Sequence, residues 1–303
     1  MPNITATVAD PFIPEIWANT ALEVLRSRSV LSRIVTRDTD VAAFQQGDVL
    51  HIPYPGTFTA QDKAAGTAVT LQAPAGSTVN VTLNKHKEVS FLFEDFARAV
   101  AQGQTMEQYM AAMTEPLVAA IEDDLFALYA GLSTSVGTSG TDITAQTVRD
   151  AWKALSDNKC PAGNRHLVVS TKDAMALLGD SSLASFFAFN ESARGDISQG
   201  EISRNLYGFR VWWSDRVPVV AGTPDSTKNL ALDPGALILA MRGLPTPPEG
   251  TGARAASVRD DQSGLVLRAV TSYNPDHLGV QVTLDVLYGV AELRDEKAVV
   301  VLA

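Results

Sequence analysis

The chain has one cysteine, Cys160, among 303 residues. No disulfide can form within it, which fits a reducing cytoplasm. Cys160 lies between Lys159 and Pro161 and has no CxxC partner. Lys159 is expected to lower its pKa modestly, and no catalytic role is expected. Histidine is scarce too: His51, His86, His166 and His277 show no metal-ligand spacing, so no metal is expected. Positive charge is in deficit, with 24 basic against 34 acidic residues and a net charge of −10. That balance argues against a sequence-specific DNA binder, which would show a basic patch. No run of 18 apolar residues occurs, so no membrane span is expected. The opening MPNITATVADPF has neither the basic nor the apolar region of a signal peptide.

Enzyme signatures are also missing. There is no GxSxG elbow and no P-loop. Gly250 to Ala255 matches GxGxxA, but it follows PTPPE and precedes a β-rich stretch. Without strand, turn and helix, a phosphate has no helix N-terminus to sit on. Arg194-Gly195-Asp196 reads as a chance tripeptide in a polar loop. Neither a cofactor nor catalysis is expected.

Within the chain, charge is scarcest between Gln45 and Asn84, where only Asp48, Asp62 and Lys63 are charged. GDVLHIPYPG reads as a strand ending in a turn, and Val69-Leu71 and Val79-Val81-Leu83 as further alternating runs. Together they predict an extended hairpin with its tip near Thr57–Gly66. An isolated hairpin is marginal in water, and uncharged edges invite association. It either folds back on its own domain or lies on another subunit, and the missing charge favours the second.

The chain is organised around Thr105 to Ala130, TMEQYMAAMTEPLVAAIEDDLFALYA. Met106, Met110, Met113, Leu117, Ile121, Leu125 and Leu128 recur at helical spacing. Thr105 with Gln108 fits a capping box, Gly131 a natural stop, and Pro116 a kink. The helix would run about 39 Å, a spine on which other pieces lie. Glu122, Asp123 and Asp124 diverge on it and cannot chelate one ion, so they read as a solvated face or an inter-subunit ion pair.

Upstream, residues 1–44 read as an arm with a helix over Glu15–Ile34; Arg26, Arg33 and Arg37 share one face, solvated or docked on an acidic neighbour such as a second copy. Residues 45–88 are the hairpin loop, and 89–143 carry a short helix (Phe93, Phe96, Val100), the spine and a small-residue junction. Residues 144–246 read as an inserted α/β lobe: a helix after a Thr144 cap, a strand at HLVVST, helices at KDAMALLGD and SLASFFAF, a strand LYGFRVWWS and an apolar strand in ALDPGALILAMR. Residues 247–303 turn all β. Val280, Val282, Leu284, Val286 and Tyr288 point one way, to pack on the spine.

This order of parts resembles the major capsid proteins of tailed bacteriophages, the Hong Kong 97-type (Johnson) fold. The matching pieces are FIPEIWANTALEVLRSRSVLSRIV as arm, GDVLHIPYPGTFTA through NKHKEVSF as extended loop, and QTMEQYMAAMTEPLVAAIEDDLFALYAG as spine of the peripheral domain. NRHLVVSTKDAMALL and NLYGFRVWWSDRVP resemble the axial domain, and LDVLYGVAELRDEKAVVV the closing peripheral strands. The resemblance implies an α+β fold and a structural subunit that assembles into hexamers and pentamers of an icosahedral shell around double-stranded DNA, without sequence-specific binding. It implies a virion location, assembly in the bacterial host cytoplasm, and a portal, decoration proteins and a separate scaffolding protein as partners. Candidate inter-subunit contacts are Arg26, Arg33, Arg37, Asp48, Asp62, Lys63, Glu122, Asp123 and Asp124. Some relatives weld loops by a Lys–Asn isopeptide bond; Lys63 is the only lysine so placed, with no acidic helper fixed by sequence. The rival readings are an encapsulin-type shell with enzyme cargo, and an α/β enzyme using His166 or Asp173.

Overall fold

The computed structural model describes residues 21, 29–38, 49–54, 58–73, 76–95, 105–180, 183, 200–248, 252–259 and 265–303. The side chains of 38, 105–108, 110 and 111 are outside that description. The expected cap at Thr105 and Gln108, the arm helix before residue 29 apart from Ala21, the short helix at Phe96 and Val100, the helix at SLASFFAF apart from Leu183 and the Arg194-Gly195-Asp196 loop therefore lie outside the described residues; Phe93, expected on the short helix, lies instead in a strand and pairs with Val280.

Two sheets flank one long helix. That helix, α2, covers Thr105–Phe126 and tightens into a 3-10 turn over Ala127–Gly131, close to the expected stop. Pro116 lies inside it, on the exposed side. Met113, Leu117, Ile121 and Leu125 bury one face at intervals of four, with Val118 beside them. Before it come a four-residue helix, α1 (Leu31–Ile34), and strand β1 (Thr36–Asp38). The hairpin strands are β2 (Val49–Tyr54) and β3 (Ser77–Thr82), and β4 (Lys85–Glu94) leads on.

After α2 the order is β5 (Ser135–Gly137), α3 (Ala145–Asp157), β6 (Arg165–Val169), α4 (Thr171–Gly179), β7 (Glu201–Leu206), β8 (Phe209–Trp213), β9 (Val219–Val220), β10 (Ser226–Leu232), β11 (Leu237–Arg242), β12 (Ala253–Arg259), β13 (Val266–Asn274), β14 (Gly279–Glu292) and β15 (Ala298–Leu302). The Thr144 cap is present as a box with Thr147. Ala253 onward is strand, so no helix follows the GxGxxA match.

The first sheet runs β1-β11-β14-β13-β12, with β4 also on β14. β14 is its axis: fourteen residues with three partners. Val282, Leu284, Val286 and Tyr288 face α2, as the alternation requires. The second sheet runs β5-β15-β10-β6-β8-β7. α3 and α4 cover one of its faces through Val148, Ala151, Leu155, Ala174 and Leu177. Its other face, with Val168, Leu230, Leu232 and Val300, joins the core around α2. Trp212 and Trp213 fall on opposite sides, as expected.

Strand pairing corrects the sequence-based grouping in two places. β11, placed with the 144–246 lobe, pairs in the first sheet. β15, placed with the closing strands on the spine, pairs between β5 and β10 in the second. Both runs are apolar throughout, so periodicity could not say which sheet they enter. LYGFRVWWS is also not one strand: Tyr207-Gly208 is the turn of the β7–β8 hairpin.

The hairpin stands on the first sheet. Leu50, Val81 and Leu83 pack against Ile238 and Ala240 of β11, with Ala291 and Leu293 alongside. Tyr54 adds a hydrogen bond to Glu296 at 3.2 Å and lies under the Arg294 guanidinium at 4.5 Å. The approach is so close that a Cβ at Gly289 would stand 2.2 Å from the Thr82 carbonyl oxygen. Gly289→Ala must push β3 off the sheet and should cost about 1–3 kcal/mol. Thermal unfolding checks this; an unchanged melting temperature contradicts it.

Candidate assembly surfaces

Beyond its root, the hairpin leaves the body. Every described residue from Phe58 to Leu71 is exposed, and Leu71 is 90 % exposed. The tip is not strand, so the expected run at Val69-Leu71 does not form one. It has its own clamp: the Gln72 side chain accepts the Thr59 amide at 3.0 Å and donates to the Thr59 carbonyl at 2.5 Å. A side chain thus stands in for a ladder rung. Asp62 and Lys63 sit in this exposed stretch. Asp48 and Arg26 lie outside the described residues.

The end of the arm is a clasp. Val30, Leu31, Ile34 and Val35 are buried in the core around α2. α1 has no side-chain cap of its own. Glu122, ninety-one residues on, supplies one by accepting the Leu31 and Ser32 amides at 2.9 Å each. Glu122 is only 1 % exposed. Burial pushes its carboxyl pKa up, against the pull of the Ser32 and Leu31 amides. Glu122, expected on a solvated face or in an inter-subunit ion pair, is instead buried with its hydrogen bonds made inside the chain. Its signal in the sequence was hidden, because a carboxylate in a Glu-Asp-Asp run reads as surface.

Asp123 is exposed, and burial on its inner side raises its pKa despite Arg216. Asp124 bonds Lys85 at 2.6 Å and accepts from Tyr288 at 2.6 Å. Burial would raise its pKa, but those two partners outweigh it and hold the carboxyl below its usual value. The phenol of Tyr288 is raised in turn, by burial and by Asp124. Asp124 therefore ties α2 to β4 and β14 within one chain.

Arg33 reaches the second sheet, its guanidinium 5.5 Å from the ring centre of Trp212. Arg210 lies 5.2 Å from the same ring centre. Arg37 stands half-buried on β1, which pairs with β11. The segment 29–38 thus touches α2, β8 and β11 together.

Trp212 donates its indole N–H to Nδ1 of His166 at 3.0 Å, and Nε2 of His166 lies 3.1 Å from Asn164 Oδ1. Burial, then Arg210, lowers the imidazole pKa to about 4. Asp173 is buried at the opposite end of β6, with Ser170 and Asn229 donating to it. Four residue steps along the chain separate His166 from Ser170, about 13 Å, so His166 and Asp173 do not share a site. Burial raises the Cys160 thiol pKa, and the expected lowering by Lys159 is not found. Among the described residues, no group of three or more His, Cys, Asp or Glu could hold a metal ion, and no helix is long and apolar enough to cross a membrane.

A groove of about 760 Å³ opens between α3 and the β7–β8 turn. Trp152 and Tyr207 line it, with Arg149, Lys153 and Asn205. Arg165 backs Trp152 at 5.6 Å and is itself buried, donating to the carbonyls of Trp152, Cys160 and Pro161 and to Ser156. Tyr207 has φ +50° and Gly208 φ +85°, a two-residue turn that favours Asn-Gly. The sequence signals none of this, since LYG reads on as strand.

No family model matches the chain, and no curated protein matches it. Solved structures do. A chain of Mycobacterium phage Che8 is 22 % identical, aligns over 90 % of this chain and 91 % of that one, and has a TM-score of 0.63. The capsid of Ralstonia phage GP4 is 11 % identical, aligns over 91 % of both chains, and also has a TM-score of 0.63. A virus-like particle from Pyrococcus furiosus is 12 % identical, aligns over 95 % of this chain and 98 % of that one, and has a TM-score of 0.51.

Two outcomes follow from the clasp and from His166. Glu122→Leu strands two buried amides and should cost about 2–5 kcal/mol, with faster proteolysis near residues 29–38; equal stability and equal cleavage would contradict the clasp. His166 binds a proton less readily folded, at about 4, than at its ordinary 6.5. Its contribution is complete above pH 6.5 and is lost as pH falls toward 4. The urea midpoint should drop through that window with a change in tryptophan fluorescence, and His166→Gln should flatten the slope. With β14 as its axis, an exposed hairpin on its first sheet and a buried clasp between its sheets, the chain has the fold of the tailed-phage capsid proteins.

Proposed function

We propose that this chain is the major capsid protein of a tailed phage, a structural subunit that assembles into an icosahedral shell around double-stranded DNA. The observation that carries the proposal is the hairpin. Its root is fixed on the first sheet, while every described residue of its charge-poor tip from Phe58 to Leu71, with Phe58, Val69 and Leu71 among them, is exposed. A lone soluble protein would blunt such an extension with charge. Copies of the chain that bury it on one another remove the cost. The near end-to-end alignment with phage capsid chains supports the same reading. Under it, the subunits form hexamers and pentamers in the host cytoplasm and end in the virion. A scaffolding protein, a portal and decoration proteins are its expected partners, and DNA is enclosed without sequence reading. The net charge of −10 suits a wall that does not trap packaged DNA. Asp62, Lys63 and Asp123 remain as exposed candidates for contact between subunits, and Arg33 and Arg37 contribute to the clasp beside any such role.

A second shell reading is an encapsulin-like compartment; the virus-like particle from Pyrococcus furiosus aligns over more of the chain than the Mycobacterium phage Che8 chain does, but with a lower TM-score, 0.51 against 0.63. Light scattering and electron microscopy of the purified protein, with and without a scaffolding partner, test both. Closed shells of hundreds of copies are expected. Shells enriched in one enzyme would favour the compartment, and a monomer or dimer under every condition would overturn the shell.

A further inference from the structure

The hairpin tip is ordered although it is not strand. In the β2–β3 ladder Val49 stands opposite Thr82 and Tyr54 opposite Ser77. Counted on by equal steps along both legs, that register sets Thr59 opposite Gln72 and Ala64 opposite Thr67. The tip is bonded at those two pairs. The Gln72 side chain accepts the Thr59 amide at 3.0 Å and donates to the Thr59 carbonyl at 2.5 Å. Thr67 donates its amide to the Ala64 carbonyl at 3.3 Å. Among the described residues 58–73, that turn makes the one backbone–backbone hydrogen bond. The legs are in register but unzipped. Resting on the shell reading above, we infer that Gln72 is the positioning residue for assembly: its side chain keeps the two legs in register, so that their apolar side chains meet a second copy as one face.

Register decides which side chains share a face, because they alternate along each leg. In this register Phe58, Ala60, Val69, Leu71 and Ala73 fall on one side, with Asp62 as its single charge. Thr59, Gln61, Lys63, Thr70 and Gln72 fall on the other, with Ala68. The hydrogen bonds agree with that sorting. Gln61 donates its side-chain amide to Thr59 Oγ1 at 3.1 Å, and Thr59 Oγ1 donates to Gln72 Oε1 at 3.3 Å. Three side chains assigned to the polar side therefore join one another. A slip of one leg by one residue would exchange its faces, turning Val69 and Leu71 away from Phe58 and Ala60.

A core does not hold this register, since every described residue from Phe58 to Leu71 is exposed. The ladder fixes it at the root and the turn at the far end, where Gly66 has φ +79° at the glycine position of a type II turn. Thr67 Oγ1 adds a second bond to the Ala64 carbonyl at 2.8 Å. Between root and turn the legs depend on Gln72. A glutamine amide suits the task, because it carries donor and acceptor on one group, as an opposing backbone would. An exposed hydrogen bond replaces one to water and adds little to the stability of the subunit. Its effect is on docking: legs already ordered lose less conformational freedom when they bind. The partner is a second copy. Between chains that each carry a net charge of −10, a contact face with one charge keeps their repulsion out of the interface.

The test follows shell assembly of the full-length protein by light scattering. Gln72→Leu removes the clamp and should slow assembly at least fivefold while the subunit's melting temperature holds. Thr59→Pro removes the amide that Gln72 accepts and should slow it similarly. The double variant should be no slower than either single one, because both remove the same clamp. Single cysteines then report the faces. Leu71→Cys and Thr70→Cys, each assembled as a minority among wild-type copies, are labelled with a maleimide, with the wild type as control for buried Cys160. Leu71→Cys should react at least tenfold more slowly in shells than in dissociated subunits, and Thr70→Cys within twofold of its dissociated rate. Three results would overturn the inference: a wild-type assembly rate from Gln72→Leu, slowing that multiplies in the double variant, or Thr70→Cys as protected in shells as Leu71→Cys. Failure of the wild type to form shells would instead overturn the shell reading.

Discussion

The buried carboxylate of Glu122 is the constraint on which the two halves of this molecule depend. Burial works against its charged form, and the Leu31 and Ser32 amides offset part of that cost. That bond places α1 against α2. α1 in turn brings Arg33 to Trp212 on the second sheet and β1 to β11 in the first. One short segment therefore belongs to the spine and to both sheets. An interior charge is a poor source of net stability. What it supplies here is position: an aliphatic residue at 122 would leave α1 uncapped and free to slide.

Much of the plan was legible because periodicity reports burial. α2 showed its face at Met113, Leu117, Ile121 and Leu125, and β14 showed its own at Val282, Leu284, Val286 and Tyr288. The lack of charge from Gln45 to Asn84 marked the hairpin. Three things were not legible. Strands β11 and β15 are apolar on both faces, so their alternation names no sheet. Glu122 is defined by a partner ninety-one residues away. The groove depends on Tyr207, where a bulky residue takes a turn position usually given to asparagine.

The candidate contacts divide along the same line. Asp62 and Lys63 sit on a tip that has no core of its own, and their place was evident from composition. Glu122 and Asp124 face inward and serve the subunit. Composition cannot separate these cases, because a carboxylate on a helix looks the same whether it meets water, a lysine or two amides. Solvent exposure and partner geometry decide between them.

The place of β15 has a consequence in time. It lies between β5 and β10, so residues 298–302 fill a gap in the interior of the second sheet rather than extend its edge. Val299 and Val301 complete the core beneath α3 and α4. A chain emerging from the ribosome cannot close this sheet until residue 302 has been made. Folding of the second sheet waits on synthesis, and a partly made subunit cannot present a finished surface to its neighbours.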